Sequence, residues 1–332
     1  MLAAFLETTA TPDVIQYGEI PTPDAQRNQV RVRVAAASLN PIDTYIRGGA
    51  VKVDLPKPFV PGCDFAGTVD AVGDGATRYK PGDRVWGSNQ GLLGRQGTFA
   101  EFCCPNQEFV YPLPEGVEDQ TAAALALVGI TSHLGLFRRG ELQDGETVFV
   151  NGGTGGVGMA VVQMAKAVGA RVICTVGSED KAIAAAKLGA DHVFNYKTDD
   201  VPAKLRDLTE GKGVDVWYET LPPNNLELTI DLMAMRGRIV LMAGRAARPT
   251  LPNGAFYTKN LSLVGFAMFN ATADEQRICA EKMNWWMADG KLKPLIGAVF
   301  PFREAAEAHR LQEANTGGKA GTLMGKIVLV PG

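Results

Sequence analysis

A glycine-rich loop near the middle of the chain constrains the fold more than any other segment. The apolar run Thr147–Asn151 leads into the loop Gly152–Gly158, and a helix-forming run extends from Val157 to Val168. The loop contains the spacing Gly153-x-Gly155-x-x-Gly158, which between a strand and a helix is typical of dinucleotide-binding folds. Because the chain has 38 glycines, the spacing alone is weak, and the flanking strand and helix carry the prediction.

Each glycine of the loop has a predicted task. Gly153 permits the tight turn, Gly155 lets the backbone approach a pyrophosphate, and Gly158 lets the helix lie close to the strand. Free N–H groups and the positive end of the helix dipole then face the phosphates. We therefore predict that the cofactor binds to the loop through Gly153, Thr154, Gly155, Gly156, Val157 and Gly158.

Strands and helices alternate regularly from about Asp119, which predicts an α/β fold with a parallel sheet covered on both faces. The expected strands of this sheet are Thr147–Asn151, Arg171–Val176, Asp191–Tyr196, Val214–Glu219, Arg238–Ala243 and Leu261–Phe266.

The two ends of the chain have a different character. Val30–Val34 alternates apolar and charged residues, as a half-buried strand does, and many prolines discourage long helices before residue 115. The tail closes with the strand-like run Lys326–Val330, which we expect to pack back on the N-terminal half. The predicted domains are therefore residues 1–124 with 271–332, and an inserted dinucleotide-binding domain of residues 125–270.

Composition excludes several function classes. Lys plus Arg number 33 against 36 for Asp plus Glu, so nothing favours nucleic acid or an anionic membrane as a partner. The most apolar stretch, Thr121–Phe137, is shorter than a membrane span of about 20 residues, and we do not expect the first residues to act as a signal peptide, because they lack a basic start. The five cysteines suggest neither a disulfide framework nor a four-cysteine zinc site, and we expect a cytoplasmic protein.

The end of the second strand indicates which dinucleotide binds. Sites specific for NAD place Asp or Glu there, whereas this chain has Gly177 and Ser178. A small neutral residue leaves room for a 2′-phosphate, Lys181 follows one helical turn later, and Tyr196 and Lys197 end the neighbouring strand. We predict NADPH, with Gly177, Ser178, Lys181 and Tyr196 among its contacts. The alternative is that the two lysines are surface charges, and Glu179 and Asp180 would oppose an anion.

Two further strand ends are expected at the ligand. Gly244 follows the fifth strand of the parallel sheet, and Phe266 and Met268 follow the sixth. Ligands of open α/β sheets bind beyond the carboxyl ends of the strands, so these residues are further cofactor-binding candidates.

Several motifs together resemble one family. The glycine loop, Pro61–Gly67 and Pro81–Val85 are similar to the medium-chain dehydrogenase/reductases, and Asn40–Gly49 narrows the resemblance to the zinc-free quinone oxidoreductase branch, which includes zeta-crystallin. Gly189–Tyr196 and the terminal Gly325–Leu329 agree. The resemblance implies a GroES-like catalytic domain around a Rossmann domain. It also implies a homodimer, or a tetramer of dimers, joined through the edge strand Leu261–Phe266.

The resemblance also implies the catalytic residues. It places Asn40, Asp43, Tyr45 and Thr131 around the nicotinamide, and it adds Lys326 to the cofactor-binding candidates. Asn40 and Tyr45 would donate hydrogen bonds to an acceptor oxygen, and Asp43 would orient its neighbours. The alternatives are a turn at Asn40, a helix cap at Asp43 and a core aromatic at Tyr45.

The same comparison predicts that the enzyme holds no metal. Asn40 stands at the family's zinc-ligating cysteine position and Cys63 at its histidine position, so a tetrahedral site is incomplete. Without a Lewis acid the acceptor must already be electrophilic, which favours hydride transfer from NADPH to a quinone. The alternatives are a reductase of α,β-unsaturated ketones, aldehydes or enoyl thioesters, and a non-catalytic protein that binds the cofactor or RNA.

Overall fold

The computed structural model describes residues 1–52, 54–222, 224–317 and 320–332. The chain divides into two compact units. The first unit comprises Met1–Val128 and Thr272–Gly332, and the second comprises Gly129–Ala271.

The N-terminal part of the chain is rich in short strands. Its elements are β1 (Leu2–Phe5), β2 (Gln16–Glu19), β3 (Val30–Leu39), α1 (Pro41–Arg47), β4 (Asp64–Val72), β5 (Arg84–Gly87), β6 (Phe102–Cys103), β7 (Val110–Pro112) and α2 (Asp119–His133). A π-helical turn, Leu134–Arg139, continues α2.

Strands and helices then alternate. The elements are β8 (Thr147–Asn151), α3 (Gly156–Ala167), β9 (Arg171–Val176), α4 (Glu179–Lys187), β10 (His192–Asn195), α5 (Val201–Leu208), β11 (Val214–Glu219), α6 (Leu226–Asp231), β12 (Met233–Leu241), α7 (Asn253–Thr258) and β13 (Ser262–Gly265). The tail adds α8 (Ala273–Ala288), β14 (Ile296–Pro301), α9 (Ala305–Thr316) and β15 (Lys326–Val330).

The second unit is built on a parallel sheet of six strands in the order β10-β9-β8-β11-β12-β13. The alternation in the sequence predicted this sheet, and the prediction is confirmed. The chain runs outward from β8 to β10 and then returns to β11 on the other side of β8. Ligands of such sheets bind where the strand order reverses, beyond the carboxyl ends of the strands.

The first unit is built on a mixed sheet in the order β14-β15-β3-β4-β5-β7, with β6 paired to β3. Strand β3 buries Val30, Val32 and Val34 on one face, as its alternation predicted. The tail strand β15 runs antiparallel to β3, with Ile327 opposite Leu39. The predicted return of the tail to the N-terminal half is therefore confirmed, and it brings Lys326 beside the start of α1.

The strand limits differ from prediction mainly at β12. That strand starts at Met233 rather than at Arg238, because its first residue pairs with Val214 before the register shifts. Arg236, with φ of 65°, lies in the irregular stretch. Among the described residues one helical stretch, Asp119–Arg139, is long and apolar enough to cross a membrane, and 72% of its most apolar window is buried inside the protein.

Candidate active site

The glycine loop connects β8 to α3 at the point where the strand order reverses. Gly152 makes the turn, with φ of 92°. Gly155 is the exposed N-cap of α3, and a Cβ placed on it would meet only the Gly152 carbonyl oxygen, 3.6 Å away. The first N–H groups of this 12-residue helix therefore lie open beside a residue without a side chain, which is the environment that a pyrophosphate requires.

Two other loop glycines are required by close packing. A Cβ on Gly158 would lie 1.9 Å from the Gly152 carbonyl oxygen, so only glycine lets α3 approach β8. A Cβ on Gly153 would lie 2.5 Å from the Cys174 sulfur on β9. The predicted role of Gly158 is confirmed, whereas that of Gly153 was wrong, because the left-handed turn belongs to Gly152 and Gly153 is needed for its contact with β9.

A buried network of hydrogen bonds holds the start of the glycine loop, and the sequence analysis did not predict it. The Glu219 carboxylate accepts hydrogen bonds from Asn151 Nδ2 (2.8 Å), from the Leu221 N–H (2.9 Å) and from Trp217 Nε1 (3.2 Å). Thr175 Oγ1 donates to Asn151 Oδ1 (2.6 Å) and accepts from the Gly152 N–H (3.1 Å). Burial raises the pKa of Glu219. The only sequence signal was an acidic residue at the end of an otherwise apolar strand.

The residues predicted for the 2′-phosphate lie together at the ends of β9 and β10. A Cβ on Gly177 would lie 2.4 Å from the Tyr196 hydroxyl, so this oxygen stands directly over the glycine. Ser178 is the N-cap of α4, and its Oγ accepts a hydrogen bond from the Lys181 N–H (3.5 Å). Partial burial and, after it, the positive charge of Lys197 lower the pKa of Lys181.

The remaining candidates of the second unit lie at its other strand ends and on its first helical segment. Gly244 follows β12 with φ of 80°, and the buried Met268 and half-buried Phe266 follow β13. Thr131 is buried, and its carbonyl oxygen accepts a hydrogen bond from the Tyr218 hydroxyl (3.1 Å). The π-helical turn Leu134–Arg139 begins three residues after Thr131.

In the first unit, Asn40 and Asp43 start α1. The Asp43 Oδ2 accepts a hydrogen bond from the Asn40 N–H (2.8 Å), and Pro41 occupies the first helical position. The helix-capping alternative for Asp43 is therefore confirmed. Tyr45 lies one turn further along α1 and is half-buried.

The Asn40 amide is fully buried, and its bonds stay within the first unit. Its Nδ2 donates to Asp64 Oδ2 (2.8 Å), and its Oδ1 accepts from the Lys326 ammonium. The expectation that Asn40 donates directly to an acceptor oxygen is corrected, because its amide hydrogen bonds go to protein groups. Lys326 is also engaged inside the first unit: its Nζ donates to Asn40 Oδ1 and to the Leu39 carbonyl oxygen (2.7 Å), and its contact with a cofactor stays a prediction.

The carboxyl groups of this cluster are strongly perturbed. Burial raises the pKa of Asp43 to about 7, although the Cys63 thiol and the Asn40 N–H lower it. Burial also raises the pKa of Asp64 to about 6, against the lowering effects of Lys326, Asn40 and Ser88. The buried ammonium of Lys326 and the buried carboxyl groups of Asp43 and Asp64 thus lie together around Asn40, at the start of α1.

Two family models match most of the chain. Residues 26–115 match the alcohol dehydrogenase GroES-like domain, and residues 156–284 match the zinc-binding dehydrogenase family. The quinone oxidoreductase of Rattus norvegicus is 34% identical over 320 residues, which cover 96% of this chain and 94% of the rat protein. The chain belongs to the quinone oxidoreductase family of the medium-chain dehydrogenase/reductases. It is therefore an oxidoreductase.

Solved structures agree with this family assignment. The structure is similar to an NAD-dependent alcohol dehydrogenase, at 33% identity and a TM-score of 0.89. It is also similar to the Escherichia coli quinone oxidoreductase complexed with NADPH, at 28% identity and a TM-score of 0.87. Both similarities cover 100% of each chain. The predicted GroES-like domain and Rossmann-type sheet are confirmed.

Asn40 and Cys63 stand at positions where zinc-using relatives have zinc ligands. In this chain both side chains contact other protein groups. Asn40 is the hydrogen-bonded amide described above, and Cys63 is a buried thiol beside Asp43. In the described ranges no group of three His, Cys, Asp or Glu residues is arranged to hold a metal ion. That the reaction needs no metal stays a prediction, and metal removal tests it.

Proposed function

We propose that the chain is an NADPH-dependent quinone oxidoreductase that acts without zinc. NADPH, when bound, supplies the hydride, and an electrophilic quinone accepts it. The observation that carries the proposal is the cationic cluster at the ends of β9 and β10, one strand away from the glycine loop.

The cluster favours NADPH over NADH on chemical grounds. The residues that end β9 are glycine and serine, so no carboxylate stands ready for a ribose 2′-hydroxyl. Burial and, after it, the charge of Lys197 lower the pKa of Lys181, and a 2′-phosphate of about −1.5 to −2 charge would favour the charged form of both lysines. Glu179 and Asp180 carry negative charges that would oppose binding of an anion, but both residues are solvent-exposed.

The rest of the dinucleotide has a matching place in the second unit. The open N–H groups at the start of α3 would hold the pyrophosphate, and the network around Glu219 keeps the loop in this shape. Gly244, Phe266 and Met268 lie at neighbouring strand ends and would face the nicotinamide half. Lys326 is not part of this set, because its ammonium is held inside the first unit.

For the acceptor step we propose Asn40, Asp43 and Tyr45 of the first unit, and Thr131 of the second unit stays a candidate from the family resemblance. Asn40, Asp43 and Thr131 are buried, whereas Tyr45 is half-buried, so part of its side chain is exposed. We therefore assign to Tyr45 the hydrogen bond to the acceptor oxygen, and to Asn40 and Asp43 the positioning of α1. A single hydroxyl polarises an oxygen weakly compared with a metal ion, so quinones and conjugated enones suit the site better than saturated alcohols.

Steady-state rates with NADPH and NADH test the proposal. The acceptor panel contains 1,4-benzoquinone, 9,10-phenanthrenequinone and alkenals. We expect quinone turnover with NADPH and, in Lys181→Ala, a KM for NADPH that rises about 10-fold while the KM for NADH is unchanged, since a charged contact to phosphate is lost. Lys187→Ala, an exposed lysine at the other end of α4, is the matched control.

Three results would contradict the proposal. An unchanged NADPH/NADH preference in Lys181→Ala would remove the 2′-phosphate site. Faster turnover of alkenals than of quinones would favour the enone reductase. Binding of NADPH without turnover of any acceptor, together with salt-dependent retention of RNA, would favour a non-catalytic role.

We also propose a homodimer, in the reducing cytoplasm. Strand β13 is an edge of the parallel sheet, and Met235, Tyr257 and Leu263 on the last two strands and α7 are 61%, 65% and 36% exposed. An apolar edge of this kind is suited to pairing with a second copy. Light scattering should give a dimer for the wild type and a monomer for Leu263→Asp; a wild-type monomer would refute the assembly.

All five cysteines are free, as expected in the cytoplasm.

A further inference from the structure

Lys326 is a buried lysine without an assigned task. It is 3% exposed and begins β15, whose pairing with β3 brings it beside Leu39 and Asn40. Its Nζ donates to the Leu39 carbonyl oxygen at 2.7 Å and to Asn40 Oδ1. Burial lowers the pKa of Lys326, and the charges of Asp64 and Asp43 oppose this effect. The two oxygen acceptors on Nζ favour the charged ammonium as well.

The Asn40 amide bridges a positive and a negative group. Its oxygen faces the Lys326 ammonium, and its nitrogen donates to Asp64 Oδ2 at 2.8 Å. A rotated amide would set N–H groups against the ammonium and an oxygen against the carboxylate. The orientation of Asn40 therefore depends on both charges being present.

The cluster holds fewer positive charges than acidic groups. Asp64 accepts two further hydrogen bonds, from Ser88 Oγ at 2.7 Å and from the Leu127 N–H at 3.1 Å, as a carboxylate does. Asp43 accepts one backbone N–H, and the Cys63 thiol lies against it.

The groups that face one another come from four elements. They are Asp43 on α1, Cys63 and Asp64 at the start of β4, Lys326 on β15, and Arg95 in the loop after β5, whose pKa burial lowers and Cys63 raises. Asp64 accepts three hydrogen bonds, as a carboxylate does, and Asp43, whose pKa burial raises to about 7, is the carboxyl group of this cluster that would exchange its proton near neutral pH.

We propose that Lys326 is a positioning residue for the acceptor step, whose buried ammonium orients the Asn40 amide and balances the carboxylate charge under α1. The inference rests on the proposed function, because α1 carries Tyr45. It assigns to Lys326 a part in the acceptor step in place of the cofactor contact expected from the family resemblance.

Lys326→Met should separate these two roles. Loss of the ammonium frees the Asn40 amide, so kcat with 1,4-benzoquinone should fall about 10- to 100-fold. The Kd for NADPH, measured by quenching of protein fluorescence, should stay within about twofold, since no cofactor contact is removed. A Kd that rises with kcat unchanged would restore the cofactor role and overturn the proposal.

The pH profile gives a readout that a merely structural lysine would not move. We expect kcat/KM of the wild type to fall above pH about 7, the pKa of Asp43, because a second carboxylate opposes negative charge developing on the acceptor oxygen. Lys326 lowers the pKa of Asp43, so in Lys326→Met the break should move upward, and in Asp43→Asn it should vanish. An unmoved break in Lys326→Met would refute the charge-balancing part.

Lys259→Met is the matched control for the loss of a structural ammonium. Lys259 Nζ donates to the carbonyl oxygens of Ile230 (2.9 Å), Asp231 (2.8 Å) and Met233 (3.0 Å) in the second unit. Its loss should lower Tm without changing kcat or the pH break. Equal losses of kcat in both variants would mean that Lys326 is only structural.

Two further measurements keep the inference testable. If Lys326→Met does not fold, the double variant Lys326→Met/Asp64→Asn, in which the buried charges are removed together, should show the same kcat loss. Infrared difference spectra of the Asp43 carboxyl, assigned with Asp43→Asn, follow its ionisation without turnover. If the wild type does not turn over quinones, only the proposed function is refuted. If Asp43 ionises at the same pH in the wild type and in Lys326→Met, this inference is refuted.

Discussion

His309 should make the protein unstable in acid, and the structure gives the size of the effect. The imidazole lies on α9 and is fully buried, with its edge towards the ring of Phe99 at a centroid distance of 6.1 Å. No described residue hydrogen-bonds to either ring nitrogen. Burial and the positive charge of Arg47 lower its pKa to about 3.

The pKa difference fixes the sign and the magnitude. The unfolded chain binds a proton on His309 below about pH 6.5, whereas the folded chain does not until about pH 3. The free energy of unfolding therefore falls by about 1.4 kcal/mol per pH unit in that window, or about 2 kcal/mol between pH 7 and pH 5. Above pH 7 this contribution to the pH dependence disappears.

The assay compares the wild type with His309→Leu in urea at pH 7, 6 and 5, followed by tryptophan fluorescence. Asp43 and Asp64, whose raised pKa values give the opposite pH dependence, are present in both proteins and cancel in the difference. The variant should gain about 2 kcal/mol relative to the wild type between pH 7 and pH 5. Parallel pH curves for the two proteins would refute the reasoning.

Three further predictions concern the second unit and the metal. Gly158→Ala should lower the free energy of unfolding by about 1–3 kcal/mol and weaken NADPH binding in calorimetry. Gly254→Ala should do neither, because a Cβ there meets no other part of the protein within 4 Å. Equal binding of NADPH by the two variants would contradict the packing argument. Glu219→Gln should cost the cofactor complex about 1–3 kcal/mol, because an amide N–H must then face Trp217 Nε1 or another donor, and NADPH titrations that match the wild type would contradict it. Dialysis against a chelator should leave quinone turnover unchanged; one tightly bound zinc ion per chain, required for turnover, would show that the metal-free mechanism is wrong.

Much of the fold could be predicted because its signals are local in the chain. The glycine spacing stands between a strand and a helix, and Arg171–Val176, Val214–Glu219 and Lys326–Val330 are strands with the predicted limits. Ser178 follows β9, as the sequence predicted, and it is the N-cap of α4; its contact with a 2′-phosphate stays a prediction. Periodicity and turn chemistry act between near neighbours, so sequence alone reports them.

The tertiary structure alone decided which side chains share a buried charge. Lys326 and Asn40 are 286 residues apart, and Asn151 and Glu219 are 68 apart, so no spacing announces either contact. The positive φ angle lies at Gly152 rather than at Gly153, and the packing of α3 and β9 against the loop likewise could not be read from the sequence. Burial changes the cost of a charge by amounts that depend on every neighbour, and those neighbours are known only once the strands have paired.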